Sequence, residues 1–149
     1  MNPANPVVKL CADGMTAEAE GRGEDAKALF EQAWQQSADD FDACVAAHYV
    51  ARHQPTADEE LAWNRRALAH ADSVADDRVR SFYPSLYLNL AHSLEKVGRT
   101  IEACKLYSTA AIQLEGQPDT PYTRLVRSGI VAGRQRACAT FDPSLEDPL

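Results

Sequence analysis

The sequence predicts an all-α fold of about seven helices joined by short turns. Alanine, the strongest helix former, supplies 25 of the 149 residues, against nine valines and three isoleucines, the β-branched types that favour strands. Apolar residues recur at spacings of three and four, as in Ala26, Leu29, Phe30, Ala33 and Trp34. Residues that start and stop helices bound these periodic stretches.

Each element follows from local signals. After a loose start at Met1–Asn5, a first helix is expected from Pro6 to about Glu20, where Gly21-Arg22-Gly23 makes a turn. The second runs from Glu24 to about Ser37. Asp39 or Asp40 caps a third, which carries Cys44, Ala47, Val50 and Ala51 and is broken at Pro55. Thr56-Ala57-Asp58-Glu59 is a capping-box pattern opening a fourth helix through Leu61, Leu68 and Ala71. Asp76-Asp77 places negative charge at the start of a fifth, expected over Arg78–Val97 and closed by Gly98. The sixth covers about Thr100–Leu114. Thr120-Pro121 then gives an N-cap with proline at the first helical position of a seventh, extending to about Ala139. The segment 140–149 has two prolines and three acids and is expected to be a flexible tail.

The even-numbered helices share a period. Ala26-x3-Phe30-x2-Ala33 in the second matches Ala103-x3-Tyr107-x2-Ala110 in the sixth, and the fourth offers Ala67 in the last slot. Ala33 and Ala67 are 34 residues apart, and Ala67 and Ala110 are 43, the excess falling around His70–Arg80. With Leu10, Gly14, Ala17 and Gly21 before the first set, and Tyr87, Leu90, Ala91, Leu94 and Gly98 before the third, the chain resembles the tetratricopeptide repeat family. The resemblance spans about Pro6–Ala139. It implies an antiparallel helix-hairpin solenoid in one domain, with units at 6–38, 39–72 and 78–115 and a capping helix at 119–139. The second unit departs from the pattern, with Cys44 at the large position, His48 at the small one, Glu60 for the first Ala and Asn64 for the Phe; Trp63 lies beside that slot. The closing proline is replaced by Ala38, Asp72 and Glu115. Leu125, Gly129 and Ala132 are expected to pack the seventh helix, with Arg124, Arg127, Arg134 and Arg136 on a solvated outer face.

Bulk chemistry narrows function. A net charge of −7 repels phosphate backbones, so no nucleic-acid partner is expected. No apolar run suits a membrane span, and Met1–Met15 has no signal-peptide pattern. A cytoplasmic setting follows, with Cys11, Cys44, Cys104 and Cys138 as free thiols. There is no phosphate-binding glycine loop, nucleophile elbow or zinc-protease motif. His48 and His53 are five apart, on different helix faces, and do not form a metal pair. Cys44 and Cys104 fall on inner faces, where a thiol is usually inert packing. No catalytic residue, metal or cofactor is expected.

The resemblance further implies a concave groove lined by the first helix of each unit. The positions it assigns there include Val8, Cys11, Met15, Glu18 and Ala19, then Asp42, Val45, Tyr49, Arg52 and His53, then Ser85, Leu88, His92, Glu95 and Lys96, with Asn89 beside them and Val126 and Ile130 from the cap helix. Met15, Tyr49, Arg52, His53, Asn89, His92 and Lys96 form the expected peptide-binding set, since Tyr, Arg and Met are enriched at interface cores and Asn bonds a peptide amide in both directions. The expected role is a non-catalytic scaffold for a protein or peptide segment. Two alternatives stand beside it. One is a homodimeric assembly module using Trp34, Trp63, Phe82 and Tyr83. The other is a small-molecule binder or unusual enzyme around His53, Asn89 and His92. A clamp for a chaperone's C-terminal carboxylate is disfavoured, because Cys11, Met15, Ala46 and Ser85 stand where its polar residues would be.

Overall fold

Seven α-helices build the described part of the chain, residues 2–74 and 76–139 of a computed structural model. The expected tail at 140–149 lies outside the described residues. The helices are α1 (Pro6–Ala19), α2 (Gly23–Gln35), α3 (Asp40–Val50), α4 (Ala57–Val74), α5 (Tyr83–Lys96), α6 (Thr100–Leu114) and α7 (Pro121–Ala137). Short 3-10 segments follow α3 at Ala51–His53 and precede α5 at Asp77–Phe82. None of these helices is long and apolar enough to cross a membrane.

The caps act where the sequence places them. Asp39 accepts from the Asp42 amide at 2.8 Å and Thr56 from the Glu59 amide at 3.2 Å. Thr120 and Thr123 cap reciprocally: the Thr123 amide donates to Thr120 Oγ1 at 3.1 Å and the Thr120 amide to Thr123 Oγ1 at 2.8 Å. Gly98 ends α5 in the left-handed region at φ 84°. The fifth helix begins later than expected, at Tyr83 rather than Arg78. Pro84 explains this. Its ring would strike the carbonyl of Arg80 in a continuous α-helix, whereas near a first turn its missing N–H costs nothing.

The chain divides between Arg80 and Ser81 into two compact units, within the insertion that interrupts the period. In the first, α1 pairs with α2 and α3 with α4, while α3 also packs on α1 and α2. In the second, α5 pairs with α6, and α7 packs on both. The small residues of the periodic pattern are its contact points: Ala26, Ala33, Ala67, Ala103 and Ala110 are fully buried, as are Phe30 and Tyr107. Two glycines allow the closest approaches. A Cβ on Gly14 would overlap the Phe30 ring, and one on Gly133 the Tyr107 ring. Asn64, which stands where the expected pattern has phenylalanine, is buried. Trp63 does not fill that slot; it meets Trp34 edge-on with centroids 4.9 Å apart.

Three expectations are corrected. On α7 the buried residues are Thr123, Val126, Ile130, Gly133 and Ala137, so Leu125 is 73% exposed rather than a packing residue. The buried face is the one that carries Gly133, where a Cβ would overlap the Tyr107 ring. Val126 and Ile130 consequently leave the expected groove and join a core cluster with Ala110 and Leu114. Cys104 and Cys138 are not free thiols but form a disulfide, with Cα atoms 5.1 Å apart. Antiparallel packing brings the start of α6 to the end of α7, a relation that cysteine spacing does not reveal. Closing this 34-residue loop is worth about 4 kcal/mol in the chain-entropy account. Cys11 and Cys44 remain thiols, and burial, helped by Asp42 and Asp72 respectively, pushes each up to about 12.

Alanine at position 14 or 133 should destabilise the fold by about 1–3 kcal/mol in urea denaturation, through overpacking against the ring. Helix propensity alone would stabilise by about 1 kcal/mol, so a gain in stability would refute the close contact. Thiol titration should find no reactive cysteine in the native protein, two after denaturation without reductant, and four after denaturation with reductant. Four without reductant would exclude the disulfide.

Candidate functional site on the first helices

The surface shared by α1 and α3 is built outward from Phe30. Gly14 lets that ring lie against α1, and Tyr49 stacks on it with centroids 5.2 Å apart. His53 meets the same ring at 5.6 Å. Glu18, at the end of α1, accepts from Arg52 Nη2 at 2.6 Å and lies 3.2 Å from His53 Nε2. The Arg52 guanidinium lies 5.8 Å from the Tyr49 ring centroid. Met15, one turn before Glu18, is 46% exposed. Four of the seven expected site residues thus share one surface, held by a carboxylate. Because Arg52 remains 45% exposed, its ion pair contributes at most about 1 kcal/mol, and its effect is chiefly to orient the guanidinium.

The other three stand on α5 in the second unit. Asn89 is half-buried, and His92 and Lys96 are exposed at successive turns of the helix. Glu95 beside them turns to α6 and α7. It accepts from Tyr107 Oη at 2.8 Å and from Arg136 Nε at 2.9 Å. Arg136, then the Tyr107 hydroxyl, holds its carboxyl below the usual carboxylate range, with His92 adding a smaller push. Burial, then Glu95, raises the Tyr107 hydroxyl. Sequence reasoning missed this triad, whose members come from three helices up to 41 residues apart. It also missed the Ser85–Tyr122 hydroxyl pair.

Several expected groove positions are instead interior. Val8, Cys11, Val45, Ser85 and Asp42 are buried, Asp42 accepting from Asn5 Nδ2 at 2.7 Å and from the Ala38 amide at 3.1 Å. Trp34, Trp63, Phe82 and Tyr83, named above as contacts for a dimer, are each half-buried. A shallow concavity of about 240 Å³ lies between Glu31, Trp34, Gln35, Val50, Gln54 and Trp63. Among the described residues, no group of three or more His, Cys, Asp or Glu gathers at metal-binding geometry.

His48, at the expected small position, lies against Tyr49 with centroids 5.1 Å apart. Burial, and then the Arg52 charge, lower its imidazole from 6.5 to about 4. Below pH 6.5 the unfolded chain therefore takes up a proton that the folded chain refuses until about pH 4. Stability should fall through that window as pH falls, by about 3 kcal/mol. Urea denaturation across the pH series should show this component lost in His48→Ala; superimposable pH profiles would contradict it.

No family model, curated protein or solved structure matches the chain.

Proposed function

We propose that the chain is a non-catalytic scaffold of the tetratricopeptide type, binding a protein or peptide segment on the exposed faces of its first helices. The observation that carries this reading is the α1–α3 surface, where Met15, Tyr49, Arg52 and His53 stand together around Glu18. It combines an exposed flexible apolar side chain, an aromatic ring and a guanidinium, the types that dominate interface energetics. The Glu18 bonds restrict Arg52 and His53 before any partner arrives, which lowers the ordering cost of binding. Asn89, His92 and Lys96 are assigned the same role on α5.

A cytoplasmic setting is part of the proposal. The Cys104–Cys138 bond is the observation that weighs against it, since such bonds form mainly in oxidising compartments.

The test is affinity capture with the tagged full chain, comparing wild type with Arg52→Ala, Tyr49→Ala and Asn89→Ala by quantitative mass spectrometry. Shared partners should drop about tenfold or more in the variants, as expected for truncation at an interface centre. Equal retention by all three would remove these faces from the binding surface.

A further inference from the structure

The two tryptophans of the chain stand together in the first unit. Trp34 of α2 and Trp63 of α4 meet with ring centroids 4.9 Å apart and planes at 89°, so the two indoles form a corner. Both line the shallow concavity of about 240 Å³ already described. Val50 is its buried member, and Glu31 and Gln35 are exposed at its edge. Each ring is also held from outside. His70 meets Trp34 with centroids 5.9 Å apart, and its Nδ1 lies 2.8 Å from Asp40. The Arg66 guanidinium lies 4.5 Å from the Trp63 centroid. Neither His70 nor Arg66 lines the concavity.

The charge around this corner is negative. Glu31 is the one charged residue of the lining, and it has no hydrogen bond or ion pair among the described residues. Met1–Arg80 holds 15 of the 22 acids and eight of the 15 bases, so the whole net charge of −7 falls on the unit that carries the concavity. An indole presents a negative face through its quadrupole, so two indoles and an unpaired carboxylate together favour a cation.

We infer that this corner binds a trimethylammonium group, held by cation–π attraction to Trp34 and Trp63 and by the Glu31 carboxylate. The apolar walls select the kind of cation. A primary ammonium carries three N–H donors, and leaving water for two indoles and a valine would strand them. A trimethylated nitrogen has no N–H to satisfy and presents methyl groups to the rings. The same group is carried by small choline-type cations and by a trimethyllysine side chain of another protein. The site shares no residue with the Met15, Tyr49, Arg52 and His53 surface, so it goes beyond the scaffold reading and stands or falls separately.

Because Trp34 and Trp63 are the only tryptophans, the intrinsic emission of the full chain reports on this corner alone. Titration with choline chloride against matched sodium chloride should change that emission, with a Kd of about 1 mM or tighter. Two comparisons should each bind at least about tenfold more weakly. One is 3,3-dimethylbutan-1-ol, which puts carbon in place of the charged nitrogen, and the other is ethanolamine, the primary amine. Glu31→Gln should lower affinity about three- to fivefold with an unchanged thermal melt, because the side chain is exposed and unbonded. Trp63→Leu should lower it about tenfold by calorimetry. If that variant is unstable, the neutral alcohol and Glu31→Gln decide the matter. Arg52→Ala should leave choline binding unaltered. A glycine–serine peptide with one trimethyllysine, against the same peptide with lysine, separates the two carriers. Binding at least about tenfold tighter than choline assigns a methylated protein; otherwise the carrier is a small cation.

No emission change or calorimetric heat up to about 10 mM choline would overturn the inference. So would equal binding of the neutral alcohol, or unaltered affinity in both Glu31→Gln and Trp63→Leu. A dimer in sedimentation that Trp63→Leu dissociates would give the corner to a second copy of the chain and overturn it as well.

Discussion

An aromatic ring set against a glycine on a neighbouring helix organises each unit. Phe30 of α2 lies against Gly14 of α1, and Tyr107 of α6 against Gly133 of α7. Both rings are fully buried, and neither could sit as it does if the facing residue carried a Cβ. Such a notch brings two helix axes together with little side chain between them, which is also why alanine fills the adjoining contact positions. The surface features then grow from the rings. Phe30 supports Tyr49 and His53, while the Tyr107 hydroxyl reaches Glu95 and, through it, Arg136.

The two units also share an electrostatic device. In each, a glutamate near the end of one helix, α1 or α5, holds an arginine from the end of the helix after next, just past α3 or in the last turn of α7. Glu18 takes Arg52 at 2.6 Å, and Glu95 takes Arg136 at 2.9 Å. Each glutamate is partly shielded, at about a fifth of its side-chain exposure, so each pair is better oriented than a fully solvated one. The consequences differ. The first pair leaves Arg52 on a surface beside Tyr49 and Met15. The second locks α7 onto α5 and α6 at the end where the disulfide also closes. α7 is thus tied to its unit by an ion pair and a disulfide, and it carries the most lopsided charge of the seven helices.

Most helices could be read from the sequence because their signals are local. Asp39, Thr56, Thr120 and Gly98 act within a few residues of themselves, and their roles in the structure are those their chemistry implies. The seventh helix shows where such reading stops. Gly129 and Gly133 are one turn apart, each with large apolar residues at helical spacing, so periodicity accepts either face. Of the expected face, Leu125 is exposed, while Gly129 and Ala132 are only half-buried. Pro84 stands in the first turn of α5, whereas the fifth helix was expected to begin earlier, at about Arg78. The site was legible in part. Met15, Tyr49, Arg52 and His53 were named from the repeat register, but so were Val8 and Val45, which are buried.

Composition, caps and period by themselves determined that this protein is helical, where most of its helices begin and end to within a few residues, and which alanines of α2, α4 and α6 are buried. Those properties depend on backbone propensity and on neighbours within one or two turns. Only the tertiary structure decided which face of α7 is buried, that Cys104 meets Cys138, that Glu95 is held by Tyr107 and Arg136, and that Glu18 gathers Arg52 and His53. These are relations between residues 12 to 41 apart in the chain. They arise from how far a ring can sink between two helices, a distance that no local pattern encodes.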